Sequence, residues 1–236
     1  MKKINVVLIF VLYLFVSCSS STDDINFGLV AFYPFDGNAQ DLSGGNNHLK
    51  VDGAVLTTDR FGKLNSAYSF DGLTSSLFAD VTNMPVMDSA KTISWWYISD
   101  AMPQYDKELG AENMVVLVDS TAGMGIQFGF RAPGYKTKGF DTWEWGGGTF
   151  LDMDCPGYGL WHHCTYTYDG TTHIFYLDGK KIATSIVEPK SGIPNQLMLG
   201  NYPGGDQFFK GSLDEIRIYN RVLTLSEVDI FHNLKQ

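Results

Sequence analysis

The chain has 236 residues, 44% of them hydrophobic and 14% aromatic. That is enough apolar surface for a sizeable core, and it excludes a disordered tail or a disulfide-stapled miniprotein. Lysine and arginine number 17 against 26 aspartates and glutamates, a formal charge of −9; an acidic surface repels phosphate backbones, so cations and neutral ligands suit it better than nucleic acid does.

Lys2 and Lys3 precede an uninterrupted apolar run, Val6–Val16. As a helix this run covers roughly 16 Å, too little for about 30 Å of hydrocarbon but right for the apolar segment of a secretion signal. Phe15-Val16-Ser17-Cys18 follows, a small residue before a cysteine, similar to a bacterial lipoprotein cleavage box apart from Phe15 where leucine is usual. Residues 1–17 are therefore expected to be a signal peptide, with Cys18 lipidated and residues 18–26 an acidic, flexible tether. The expected location is the bacterial cell envelope, on the outer membrane or the cell surface. No later stretch is long and apolar enough to cross a membrane as a helix.

From Phe27 to the C-terminus, residues 27–236 read as one domain of short strands punctuated by Gly, Asn and Asp. Asp-Gly pairs occur at Asp36, Asp52, Asp71, Asp169 and Asp178, a dipeptide suited to tight hairpin loops because both positions tolerate positive φ. In chain order the predicted strands are Leu29–Phe35, Ala67–Phe70, Thr92–Ile98, Met114–Asp119, Gly125–Arg131 and Gly148–Met153. A three-strand meander follows, Cys164–Tyr168, His173–Leu177 and Lys181–Thr184, and then Gln196–Leu199 and Gly211–Tyr219. Phe32, Phe35, Phe70, Trp96, Phe128, Tyr168, Phe175, Ile216 and Ile218 sit in these patterns as core. Asp154–Leu160 reads as a hairpin turn placing Cys155 opposite Cys164, so in an exported protein these two are expected to form a disulfide. The one convincing helix starts at Thr224, where Thr224-Leu225-Ser226-Glu227 has capping-box spacing and Leu225, Val228, Phe231 and Leu234 recur every three residues; it is expected to plug an end of the domain. Many strands without alternating helices predict an all-β, two-sheet antiparallel sandwich.

Seven segments carry a family resemblance: Gly28–Gly37 (GLVAFYPFDG), Asp41–Gly45 (DLSGG), Thr58–Gly62 (TDRFG), Ser66–Gly72 (SAYSFDG), Trp161–Gly170 (WHHCTYTYDG), Tyr176–Lys180 (YLDGK) and Gly211–Leu223 (GSLDEIRIYNRVL). In this order they resemble the LamG-like, concanavalin A-like lectin/glucanase domains. The resemblance implies a jelly roll of two curved antiparallel sheets. It leaves the activity open, because the fold hosts lectins, enzymes and adhesive modules.

Hydrolytic relatives of this fold place two glutamates on one strand, in a pattern like E-x-D-x-x-E, where period-two spacing aims both carboxylates into one groove. None of the six glutamates of this chain is so placed. An enzyme would have to use Asp152 and Asp154, which alternate onto one strand face near Asp141. His162 and His163 are adjacent and point to opposite faces, so they cannot share an ion.

Asp36, Asn38, Asp41 and Asn47 surround the turn after the first strand, and Asp214 opens the last one. If first and last strands pair, these oxygens make a corner suited to a hard cation, and the resemblance points the same way, toward a structural Ca²⁺. Competing with that is ordinary turn chemistry, in which Asp and Asn bond their own backbone. The segment Tyr135–Trp145 (YKTKGFDTWEW) reads as a loop. Its Tyr135, Trp143 and Trp145, with Tyr158 as a weaker addition, form a stacking platform for sugar rings, with nearby charges to meet hydroxyls. The expected function is a non-catalytic, surface-anchored glycan-binding lipoprotein. A protein-interaction or adhesion module, and a hydrolase or lyase using Asp152/Asp154, are the alternatives.

Overall fold

The computed structural model describes residues 24–99, 111–131, 139–144 and 148–234, with backbone only over 148–150. Fifteen strands and one helix follow one another: β1 Leu29–Tyr33, β2 Lys50–Asp52, β3 Val55–Thr57, β4 Ala67–Asp71, β5 Ser76–Asp80, β6 Lys91–Ser99, β7 Ala111–Asp119, β8 Met124–Arg131, β9 Gly139–Glu144, β10 Gly148–Asp154, β11 His162–Tyr168, β12 His173–Leu177, β13 Lys180–Ser185, β14 Gln196–Leu199, β15 Lys210–Tyr219 and α1 Leu225–Asn233. They form two antiparallel sheets. The first runs β13-β12-β11-β6-β15-β4-β3, with β1 also against β15; the second runs β10-β9-β8-β7-β14-β5-β2. This is the two-sheet antiparallel sandwich that the strand pattern predicts and the jelly roll that the resemblance implies.

The first and last strands do pair. β15 is long enough to serve two partners along one edge: Lys210–Leu213 pair with β4 and Ile216–Tyr219 with β1. Between them the register breaks and Glu215 takes a positive φ of 54°, a bulge that re-aims the strand. The meander β11-β12-β13 turns where predicted. Asp169 Oδ1 accepts from the backbone N–H groups of Thr171 and Thr172. Asp178 and Gly179 both have positive φ, 51° and 75°, as a two-residue primed turn requires.

Alternation along each strand sends one set of side chains into the core between the sheets. There Trp95 lies 5.1 Å from Phe128 of the opposite sheet and 5.9 Å from Phe175. Trp95, not Trp96, is the core residue: the two neighbours point to opposite faces, and Trp96 lies on the outer face of the eight-stranded sheet. Phe32 is likewise outside the core, half-buried beneath the guanidinium of Arg217, 4.1 Å from its ring centroid. α1 covers that outer face instead of plugging an end. Phe231 meets Tyr219 at 6.1 Å, and the His232 ring stacks on Trp96 at 5.8 Å and 14°.

The expected Cys155–Cys164 disulfide is absent, and both are free thiols. Asp154–Leu160 is not a hairpin turn. β10 belongs to the seven-stranded sheet and β11 to the eight-stranded one, so this connection crosses the sandwich. Cys164 is fully buried in the core, while the Cys155 thiol donates to Tyr158 Oη at 3.2 Å.

Candidate functional site

The outer face of the seven-stranded sheet carries polar and aromatic groups that the core excludes. Ile126, Phe128 and Phe130 of β8 enter the core, so Gln127, Gly129 and Arg131 face away from it. Strand pairing carries this face across the sheet. One row runs Thr149–Trp143–Gln127–Val116–Met198–Phe78–Lys50 through all seven strands. The adjacent row runs Asp152–Asp141–Gly129–Asn113. Trp143 and Phe78, four strands apart, are separated by roughly 19 Å at the usual strand spacing. Both are half-buried, whereas Gln127 and Val116 between them are buried; the face therefore opens at its two ends.

At the Trp143 end the chemistry is charged. Arg131 Nε lies 3.2 Å from Asp141 Oδ1, with both side chains almost wholly buried, and Arg131 Nη1 donates to Asn113 Oδ1 at 3.2 Å. Asn113 Nδ2 in turn donates to Gln207 Oε1 at 2.8 Å. Burial pushes the Asp141 carboxyl up to about 7; Arg131 opposes this and the cross-strand Asp152 adds to it. Glu112, the register partner of core residue Phe130, lies on the other face of β7, where burial raises it to about 7 against a backbone hydrogen bond from Lys210. Asp141, Asp152 and Arg131 make an acid-rich cluster with one guanidinium, and the Asp141 and Arg131 side chains are buried. Asp152 and Asp154 do share the outer face, but the register partner of Asp152 is Asp141, while Asp154 pairs with Gly139 and is exposed.

At the other end Phe78 and Met198 floor an open cavity of about 390 Å³, walled by the loop Asn201–Gly205. Gly200 sets that loop. With φ at 84°, a Cβ there would come within 2.2 Å of the Phe70 ring, so only glycine fits this close approach. Phe209 N donates to Gly200 O at 2.8 Å, and Asn113 N to Gln207 O at 3.1 Å, fastening the loop to the sheet.

Of the aromatic platform, Trp143 lies in a strand and not in a loop, half-buried on the outer face. Tyr135 and Trp145 lie outside the described residues. Tyr158 is half-buried, its ring 6.2 Å from core Phe130. The five oxygen donors expected to hold Ca²⁺ do not converge. Asp41 accepts backbone hydrogen bonds from Phe32, Ser43 and Asn47 at 2.9–3.0 Å, and Asn47 bonds the backbone of Thr82 and Val30. Asp36 pairs with Lys63 at 2.6 Å, and Asn38 accepts from the backbone of Gln40. Asp214 pairs with Arg60 at 2.8 Å, and that guanidinium lies 4.5 Å from the Trp96 ring centroid. Turn chemistry and two cationic side chains engage these residues. Among the described residues no three His, Cys, Asp or Glu side chains gather as metal ligands. Arg131, Asn113, Phe78, Met198 and Asn201 carry no local motif; only strand pairing brings them to the face.

Solved structures share this architecture. Domain 4 of AbnA, a GH43 extracellular arabinanase from Geobacillus stearothermophilus, was solved in complex with arabinotriose. It superposes with a TM-score of 0.64 at 20% identity, over 87% of this chain and 98% of that one. The binding domain of Paraclostridial Mosquitocidal Protein 1 gives 0.62 at 21% identity, over 89% and 52%. The binding domain of Botulinum Neurotoxin DC, in complex with SialylT, gives 0.62 at 15%, over 88% and 51%. The chain thus spans nearly all of the arabinanase domain and about half of each toxin binding domain. No curated protein sequence matches it. The family model that does match covers residues 71–229, and by that match the chain belongs to the concanavalin A-like lectin/glucanases superfamily.

Proposed function

We propose that this protein is a glycan-binding module that recognises a polysaccharide without cleaving it. The observation that carries this reading is the outer face of the seven-stranded sheet, where half-buried rings at both ends stand beside carboxamides and carboxylates. Rings offer stacking surface to the C–H faces of sugars and the polar groups fix hydroxyls, the usual division of labour in such sites. The bound arabinotriose of the arabinanase domain supports the same reading for a domain of this length. Recognition without turnover is supported by the missing paired-glutamate pattern and by the engagement of Asp141 with Arg131.

The proposal extends to export and anchoring through a lipid on Cys18, which puts the domain in the bacterial envelope. It rests on the Lys2-Lys3 start, the apolar run and Ser17-Cys18. Affinity electrophoresis through gels cast with soluble polysaccharides tests the binding. The expected result is retardation by at least one polymer, reduced about tenfold in affinity by Trp143→Ala. Release of reducing ends from the retarding polymer overturns the non-catalytic reading, and equal retardation of the variant removes Trp143 from the site.

A further inference from the structure

The cavity at the Phe78 end has a feature that packing alone does not explain. Asn201 is only 6% exposed and its Oδ1 accepts no hydrogen bond, yet it lines the open cavity. A buried carbonyl oxygen without a donor is a group the fold leaves unsatisfied, and the carboxamide that carries it borders the cavity. Around it stand Ser76, Gln196 and Asp52, with the Phe78 ring and the Met198 thioether as floor. The set offers hydroxyl acceptors and donors above an apolar base.

Charge narrows the ligand. Among the cavity-lining side chains Asp52 is the one that ionises, and it disfavours an anion. The nearby cation, Lys50, places its ammonium 5.7 Å from the Phe78 ring centroid, on the rim and outside the lining. The cavity's volume of about 390 Å³ is at the small end for ligand sites, which suits a single ring unit. The walls are preformed, because the glycine-set loop and its backbone bonds to β7 hold them without a ligand.

We infer that the cavity between β5, β14 and the Asn201–Gly205 loop seats one neutral sugar unit, its hydroxyls on the Asn201 carboxamide and Asp52 and its C–H face on Phe78 and Met198. The inference rests on the glycan-binding reading and places a second contact away from Trp143. Buried Gln127 and Val116 separate the two, so the cavity is a subsite in its own right.

The test uses the full chain with ¹³C-labelled methionine methyls, titrated with neutral hexasaccharides cut from arabinan, xylan, mannan and β-glucan. The expected result is that a hexasaccharide that binds shifts the Met198 methyl resonance. Phe78→Ala and Asn201→Ala should each weaken its affinity about tenfold or more while melting within a few degrees of the parent. Binding that leaves the Met198 methyl unmoved, or that survives undiminished in both variants, overturns the subsite and leaves the glycan reading standing. Failure of every hexasaccharide to bind overturns both.

Discussion

His163 illustrates how one buried side chain links the helix face to solution conditions. Its ring lies 5.0 Å from Trp96 and 6.0 Å from His232, and its Nε2 lies 2.8 Å from Ser94 Oγ. Its pKa is lowered from 6.5 to about 3, first by burial and then by His232, Arg217 and Arg60, with Asp178 opposing. The folded protein therefore holds a neutral imidazole that the unfolded chain would protonate below 6.5. A depressed histidine pKa contributes stability in full above 6.5 and loses it as pH falls toward 3, by up to ~1.4 kcal/mol per pH unit. Urea unfolding of wild type and His163→Gln from pH 7 to 4 checks this. The wild type should lose stability relative to the variant as pH falls, because Asp141, Glu112 and His173 titrate alike in both proteins. Parallel profiles would mean that folding does not lower the His163 pKa.

At the scale of elements, the sheets depend on positions where a side chain cannot exist. Gly129 stands on the outer row between Asp141 and Asn113, and a Cβ there would lie 1.9 Å from the carbonyl oxygen of Glu112. Its φ is ordinary, so the cost of Gly129→Ala is steric, ~3 kcal/mol or more from forcing β7 and β8 apart. A urea midpoint within error of the wild type would show that the β7–β8 bulge relaxes freely. What could be foreseen in the sequence follows the same local logic. Strands bounded by Asp-Gly turns were legible because the turn chemistry is local, and so was the capped helix, where Thr224 Oγ1 and Glu227 bond as the motif demands. β2 and β3 have three residues each, too few to show a period. β9 hides for the opposite reason. Phe140, Asp141 and Thr142 are all buried, so no polar–apolar alternation marks the strand, and Trp143 reads as part of a loop. Trp143 was thus visible as a ring beside acids, whereas Asn201 and Phe78 meet only because β14 lies between β5 and β7, a pairing that no local pattern encodes.

On the scale of the whole molecule, the two sheets give the sandwich two unlike sides. The chain enters on the helix side: Ile25 packs against the cluster of Tyr219 and Phe231, Tyr219 Oη donates to Ile25 O at 3.0 Å, and Arg221 Nε donates to Phe27 O at 2.7 Å. These contacts place Ile25 and Phe27 beside α1 on the outer face of the eight-stranded sheet. The proposed sugar contacts lie on the outer face of the other sheet, across a core about 10 Å thick. A lipid on Cys18 would therefore hold the helix side toward the membrane and leave the Trp143–Phe78 face turned outward. Vesicle-bound lipidated protein should then bind its polysaccharide with the affinity of a lipid-free Cys18→Ala form. Affinity present in the free form and lost on vesicles would place the sugar on the membrane-facing side, and with it reject the seven-stranded sheet as the recognition surface.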